Sequence, residues 1–213
     1  MTTEAPRASQ PASAAGAGDW PWLARYPSDV DYHQAFVTTP VHRLLEDSAA
    51  MFGTRTCTNF LGKTMTYSEI ARAVDATAAG LQRLGVGKGT RVGLFLPNCP
   101  TFIVYYYAVL KAGGIVVNYN PLYTLEELTF QVKDSGTDLM VTLDLKVLFD
   151  KVAALVGSGV LPRAIVASFT ALLPPTKAVL YRLFKGKDLA RVSAAGLGDK
   201  VIVFGADIGA SVA

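Results

Sequence analysis

From Arg91 onward the sequence alternates short apolar runs with capped helical stretches, and this alternation constrains the fold more than any other feature. "RVGLFLP" reads as a strand, "PTFIVYYYAVLKAGG" as a helix with a proline start and a glycine end, and "IVVN" as a buried strand. "TLEELTFQVKDSG" reads as a helix capped by Thr124 and Glu127 and closed by Gly136. "LMVTL" is then a strand, "KVLFDKVAALVG" a helix and "RAIVAS" a strand. Strands alternating with helices imply right-handed crossovers, hence an α/β fold with a parallel sheet flanked by helices. The apolar, β-branched strands suit burial on both faces.

Upstream, Gly62-Lys63-Thr64 has the tail of a phosphate-binding loop. The full pattern needs a glycine five positions before the Gly-Lys pair and a helix opening at Lys-Thr. Cys57 occupies the first position, and residues 63–66 read as extended. Leu61-Gly62 therefore reads as a turn between two short strands, and Lys63 is expected to bind no phosphate and to matter little for stability. The helix opens later, at the capping box Thr66-Tyr67-Ser68-Glu69, and presents Ile70, Val74, Ala78, Leu81 and Leu84 on one face. Thr39-Pro40 reads as the cap and first turn of an earlier helix with a stripe of Val41, Leu44, Leu45 and Ala49. The run Gly85–Gly89 leads into a strand rather than out of one, which rules out a dinucleotide fingerprint.

Composition narrows the class. Hydrophobic residues make up 51% and charged ones 17%, with a net charge of +3 and no basic stripe interleaved with aromatics, which argues against a nucleic-acid partner. Cys57 and Cys99 stand far apart and form no metal pair, and a reducing compartment fits them. His33 and His42 cannot build a histidine metal site, and Glu46, one turn after His42, reads as its surface partner. "TFIVYYYAVLKAGGIVVNY" is long enough to span a membrane, but Lys111 and Gly113-Gly114 interrupt it.

Several stretches together resemble the adenylate-forming (AMP-binding) enzymes. "TMTYSEI" resembles their first core motif and "LKAGGIVVNYNP" their second. "PWLARYP", "LPNCPTF" and "NPLYTLEELTFQVKDSG" are similar to bacterial long-chain fatty-acid–CoA ligases, and the resemblance runs in order through residues 20–168. It implies the N-terminal portion of the large domain of an acyl-CoA synthetase-like fold. The complete enzyme would use ATP, Mg2+ and CoA to turn a fatty acid into acyl-CoA, AMP and pyrophosphate. Both motifs read as structural here, with Asn118 and Asn120 satisfying backbone groups where a strand ends.

The Ser/Thr/Gly-rich loop ending in Pro-Lys-Gly, with which the family cradles triphosphate, is missing. The nearest string, Ser135-Gly136-Thr137-Asp138, lacks the lysine and reads as a helix end. No residue is assigned a catalytic, cofactor-binding or metal role, and no cofactor is expected on this chain alone. The expected organisation is a disordered tail at 1–19, the N-terminal part of the ligase domain at 20–168, and a weakly defined basic and apolar segment with a truncated end at 169–213.

Two further expectations concern surfaces. Strands 139–143 and 163–168 are expected to leave unprotected edges, so that the chain self-associates or needs the remainder of the ligase. Residues 170–191 read either as a solvated basic face on a packed helix or as a peripheral contact with the inner membrane of a cytoplasmic protein. The competing reading of the whole is a non-catalytic, stand-alone α/β module that holds an acyl chain or a partner protein.

Overall fold

The structure, a computed structural model, describes residues 20–31, 34–36 and 38–203. The expected disordered tail at 1–19 and His33 lie outside the described residues. The chain forms two compact units, Met1–Thr38 and Thr39–Ala213. In the first, Leu23–Arg25 form a 3-10 turn, and the rings of Trp20 and Trp22 stack with centroids 4.8 Å apart.

The second unit opens with helix α1 (Arg43–Phe52). Thr39-Pro40 does not cap it. His42 takes the cap position without a side-chain bond, and the preceding turn closes through Arg43 N–H to Pro40 O and Leu44 N–H to Val41 O. Proline has no N–H and suits a first turn, but here that turn precedes the helix. Of the expected stripe only Leu45 is buried, and Leu44 is 60% exposed. Glu46 pairs with Arg43 at 3.3 Å and with Lys111 at 2.7 Å, rather than forming a salt bridge with His42.

Strands β1 (Thr56–Phe60) and β2 (Lys63–Thr66) form an antiparallel hairpin. Its two-residue turn holds both Leu61 (φ 52°) and Gly62 (φ 97°) in the left-handed region. That is the pattern of a type I′ turn, whose twist matches the strands. Helix α2 (Tyr67–Arg83) then opens on the expected box: Thr66 Oγ1 accepts from the Glu69 N–H at 3.2 Å, and Glu69 Oε2 accepts from the Thr66 N–H at 2.7 Å. Ile70, Val74, Ala78 and Leu81 are buried on one face.

Five parallel strands follow: β3 (Arg91–Leu94), β4 (Ile115–Asn118), β5 (Leu139–Leu143), β6 (Arg163–Ala167) and β7 (Val201–Val203). Helices α3 (Pro100–Lys111), α4 (Leu125–Ser135), α5 (Lys146–Gly157) and α6 (Pro175–Lys185) lie between them. The spatial order is β4-β3-β5-β6-β7. Every residue of β5 is buried, so the sheet is covered on both faces at its centre. The Thr124–Glu127 capping box forms, and Gly136 closes α4 at φ 62°.

The order corrects two expectations. "IVVN" is an edge strand, with Ile115 45% exposed, rather than a buried one. Strands 139–143 and 163–167 are not edges: β5 lies between β3 and β6, and β7 covers the far side of β6. The segment after Ser168 therefore supplies a strand of the sheet, a helix and several 3-10 turns.

Gly93, in the middle of β3, admits Tyr119. An added Cβ would stand 2.7 Å from Tyr119 Cε2 and 3.1 Å from Thr137 Cγ2. The ring passes over this glycine, so that its hydroxyl reaches Thr137 Oγ1 at 2.6 Å and Ser135 Oγ at 2.8 Å. Two substitutions test this local logic in urea unfolding. Thr66→Ala should cost about 1 kcal/mol, the usual loss for such a cap. Gly93→Ala should cost about 1–3 kcal/mol, because a ring in a packed core must move. Loss of tyrosine burial in the Gly93 variant, read by near-ultraviolet circular dichroism, is the expected signature.

Candidate functional site

In an open parallel sheet, ligands bind outside the carboxyl ends of the strands, where the order reverses. Here the chain runs from β3 outward to β4, then crosses to β5 on the other side and continues outward. The reversal lies between β3 and β5. Phe95, which leaves β3 by donating its N–H to Val141 O at 3.0 Å, is fully buried there. Lys151 of α5 places its ammonium 5.9 Å from the Phe95 ring and donates to the Tyr123 carbonyl. The crevice is thus occupied by a ring and by a cation already committed to backbone.

The polar groups gather one strand further on. Asp144 follows β5 directly, and Ser168 and Thr170 follow β6. Asp144 Oδ1 accepts from the Phe169 N–H at 2.6 Å, the Ser168 and Thr170 hydroxyls lie 3.2 Å apart, and Arg182 of α6 donates to Thr170 Oγ1 at 2.9 Å. Burial raises the Asp144 carboxyl above the ordinary aspartate value, against the pull of the Phe169 N–H, Ser168 and the Arg182 charge. The backbone closes the arrangement, with Ala190 N–H donating to Asp144 O at 2.7 Å. Beside it opens a cleft of 390 Å³ whose polar lining is Asp144, Ser168, Arg191 and Ser193. These groups can hold a small polar ligand, but the geometry activates no nucleophile, because the hydroxyls and the carboxylate are spent on one another and on backbone.

A second cleft, of 360 Å³ and mostly apolar, lies between β1 and the start of α3, lined by Thr58, Phe60, Cys99, Pro100, Phe102 and Ile103 among others. Burial raises both the Cys57 and the Cys99 thiol, so neither is a ready thiolate. Among the described residues no three His, Cys, Asp or Glu side chains group to hold a metal.

Neither phosphate-loop candidate fits a triphosphate. Lys63 Nζ donates to the Ala171 carbonyl at 2.7 Å, and Lys177 Nζ donates to the Leu61 carbonyl at 2.7 Å. This reciprocal pair ties the hairpin to the turn after β6 and to α6, a contact that the sequence did not announce. Ser135–Asp138 precedes β5, at the amino end of that strand rather than at its carboxyl end. Its Asp138 accepts from the Arg91 N–H at 2.8 Å, and its hydroxyls engage Tyr119. Asn120 Oδ1 accepts from the Leu122 N–H at 3.0 Å, as expected of a strand-end turn, whereas Asn118 contributes its carbonyl, to Gln131.

Sequence reasoning assigned no site residue and so passed over Asp144, Ser168, Thr170 and Arg182. The signal available was positional: polar residues directly after two apolar parallel strands stand at the edge where such sheets bind ligands.

Known proteins bear on this arrangement. The sequence profile of the AMP-binding enzyme family matches residues 45–181, more than half of the chain. A long-chain-fatty-acid–CoA ligase of Bacillus subtilis is 40% identical over 163 residues, which is 76% of this chain and 29% of that protein. One from Escherichia coli O6:H1 is 39% identical over 127 residues, covering 56% of this chain and 22% of the relative. The chain therefore spans less than a third of the length of these relatives. Among solved structures, the anthranilate CoA ligase AuaEII in complex with anthranoyl-AMP aligns with a TM-score of 0.57 at 18% identity, over 62% of this chain and 25% of its own. Coronafacic acid ligase from Pectobacterium brasiliense aligns at 0.56 and 19%, over 60% and 25%. At such identity the likeness is one of fold.

The Asp144 cluster yields a pH test. The folded carboxyl keeps its proton to higher pH than the unfolded one, so its contribution to stability falls as pH rises through the window between the ordinary and the raised value. Asp144→Asn keeps an acceptor for Phe169 and never ionises. It should stay within about 1 kcal/mol of the parent near neutral pH and gain on it as pH rises through the window just above the ordinary aspartate value. Asp144→Ala orphans the Phe169 N–H and should cost about 1–3 kcal/mol throughout. Urea midpoints against pH measure both.

Proposed function

The chain belongs to the AMP-binding enzyme family, and on that premise we propose that it is the N-terminal part of a long-chain fatty-acid–CoA ligase. The observation that carries this reading is the 40% identity with the Bacillus subtilis ligase across 163 residues. The complete enzyme would bind a fatty acid, ATP and CoA, form an acyl-adenylate with release of pyrophosphate, and pass the acyl group to CoA, with Mg2+ supplying charge at the triphosphate. This chain contributes scaffold: the sheet β3–β7, its helices, and the Asp144 cluster at the ligand-binding edge. It works in the cytoplasm, with a peripheral contact at the inner membrane through residues 170–191. Among the described residues no helix is long and apolar enough to cross a membrane.

Alone, the chain is inactive. Phosphoryl and adenylyl chemistry depends on cradling the phosphates and neutralising charge in the transition state. The 213 residues contain no glycine-rich loop ending in Pro-Lys-Gly, and the cations Lys63, Lys151 and Lys177 are engaged with carbonyls. A stand-alone binding module is the second reading, favoured by the compactness of Thr39–Ala213.

The test is ATP–pyrophosphate exchange in the presence of a long-chain fatty acid. The chain alone should not exceed a protein-free control, and the chain extended through a downstream frame that encodes the missing loop should exchange. Exchange by the chain alone would overturn the assignment of inactivity. A downstream frame without that loop, with a sharp monomer peak and a cooperative melt, would decide for the binding module.

A further inference from the structure

The turn at residues 168–173 stands where the sheet, helix α6 and the β1–β2 hairpin meet. Its Thr170, Leu172 and Leu173 are buried. From the sheet, Asp144 Oδ1 accepts the Phe169 N–H at 2.6 Å. From α6, Arg182 donates to Thr170 Oγ1 at 2.9 Å, and the Tyr181 ring lies against Phe169 with centroids 5.0 Å apart. From the hairpin, Lys63 Nζ donates to the Ala171 carbonyl at 2.7 Å, and the Phe60 ring meets Phe169 edge-on with centroids 6.4 Å apart. Lys177 returns the tie, from α6 to the Leu61 carbonyl at the hairpin tip. The Phe169 ring therefore contacts both hairpin and helix while its N–H hangs on Asp144. Asp144 also lines the 390 Å³ polar cleft, so one carboxyl belongs to the cleft and to the turn at once.

We propose that residues 168–173 form a latch that couples the cleft to the hairpin: while Asp144 holds the Phe169 N–H, the turn presents the Ala171 carbonyl and the Phe169 ring to the hairpin, and whatever engages the Asp144 carboxyl from the cleft is felt at Leu61-Gly62. The contacts form a chain, from carboxyl to turn backbone, from turn to Lys63 and Phe60, and from the hairpin tip back to Lys177. Cutting the first link frees the Phe169 backbone, because the Arg182 bond reaches only the Thr170 side chain. The groups around Asp144 are few. Arg182 draws its carboxyl downward, Arg191 lines the same cleft, and Tyr181 lies in the fields of both Asp144 and Asp188. Asp144 forms no salt bridge among the described residues, so its hydrogen bonds are its hold on the turn. The Gly62-Lys63-Thr64 triplet thereby gains a use unrelated to phosphate, with Lys63 as the hook of the latch. The coupling lies within elements of this chain and does not depend on the ligase reading.

Backbone hydrogen exchange on the 213-residue chain tests it. Asp144→Ala should speed exchange in β1 and β2 about tenfold relative to β3, the worth of one lost buried hydrogen bond. Lys63→Met with Lys177→Met should do the same from the hairpin side. The variant carrying all three changes should exchange no faster in the hairpin than the faster of the two, because each cuts the same connection. Hairpin and β3 speeding by one common factor would reduce the effect to an ordinary loss of stability and overturn the latch. Two factors that multiply in the combined variant would make the contacts independent and overturn it as well. If Asp144→Ala fails to fold, the lysine pair decides alone, read at the Asp144 carboxyl by carbon NMR. Release of the hairpin should lower the titration midpoint toward the ordinary aspartate value, because it uncovers a carboxyl that burial holds up. Loss of two cations without release would push the midpoint the other way. A midpoint that stays or rises would overturn the coupling.

Discussion

Strand β3 is the constraint on which the rest of the structure depends. It pairs in parallel with β4 on one side, from Arg91 opposite Ile115 to Leu94 opposite Asn118, and with β5 on the other, from Val92 opposite Leu139. Parallel pairing forbids a tight hairpin and requires a crossover at each step, so α3 and α4 follow from the pairing as much as from their own sequences. The fork at β3 also places the reversal of strand order, and hence the edge at which open parallel sheets commonly take ligands. Gly93 lets Tyr119 lie against the same strand and lock the end of α4 to it. A side chain at that position would disturb strand, ring and helix end together.

What was legible in the sequence was whatever depends on neighbours in the chain. Both capping boxes, Thr66–Glu69 and Thr124–Glu127, form as read, because four residues contain all their atoms. The α2 stripe, the proline start of α3 and the closure at Gly136 are local in the same sense. Lys111 was rightly read as barring a membrane span, and the structure supplies its reason: it joins three helices by bonding Glu46 of α1 at 2.7 Å and Asp75 of α2 at 2.6 Å. Those bonds hold the Lys111 ammonium above its ordinary value, Asp75 contributing most, and lower the Glu46 carboxyl.

What depends on distant pairing was not legible. Strand apolarity alone does not distinguish a central strand from an edge, so "IVVN" was read as buried and "LMVTL" as leaving an unprotected edge, whereas spatial order puts β4 at the edge and β5 in the centre. The candidate site failed for the same reason. Asp144, Thr170 and Arg182 come from the ends of two strands and from a helix, and nothing in their spacing announces that β5 and β6 lie side by side. The geometry bridges this gap by contact, through the pairing of β5 with β6.

The cations show how far composition misleads when contacts are unknown. Lys63, Lys151, Lys177 and Arg163 donate to the carbonyls of Ala171, Tyr123, Leu61 and Leu84, and Arg182 donates to a hydroxyl. A backbone carbonyl without a partner is costly when water is excluded, and a long basic side chain can reach it from another element while its stem covers apolar surface. Such ties cross the fold: hairpin to the turn after β6, α5 to the loop after β4, β6 to the end of α2. Because these charges are spent internally, a surplus of cations in the sequence is not a map of the basic surface. On α6, Lys177 and Arg182 are exposed yet already donate to the Leu61 carbonyl and the Thr170 hydroxyl, while Leu180, Leu183 and Phe184 are exposed beside them.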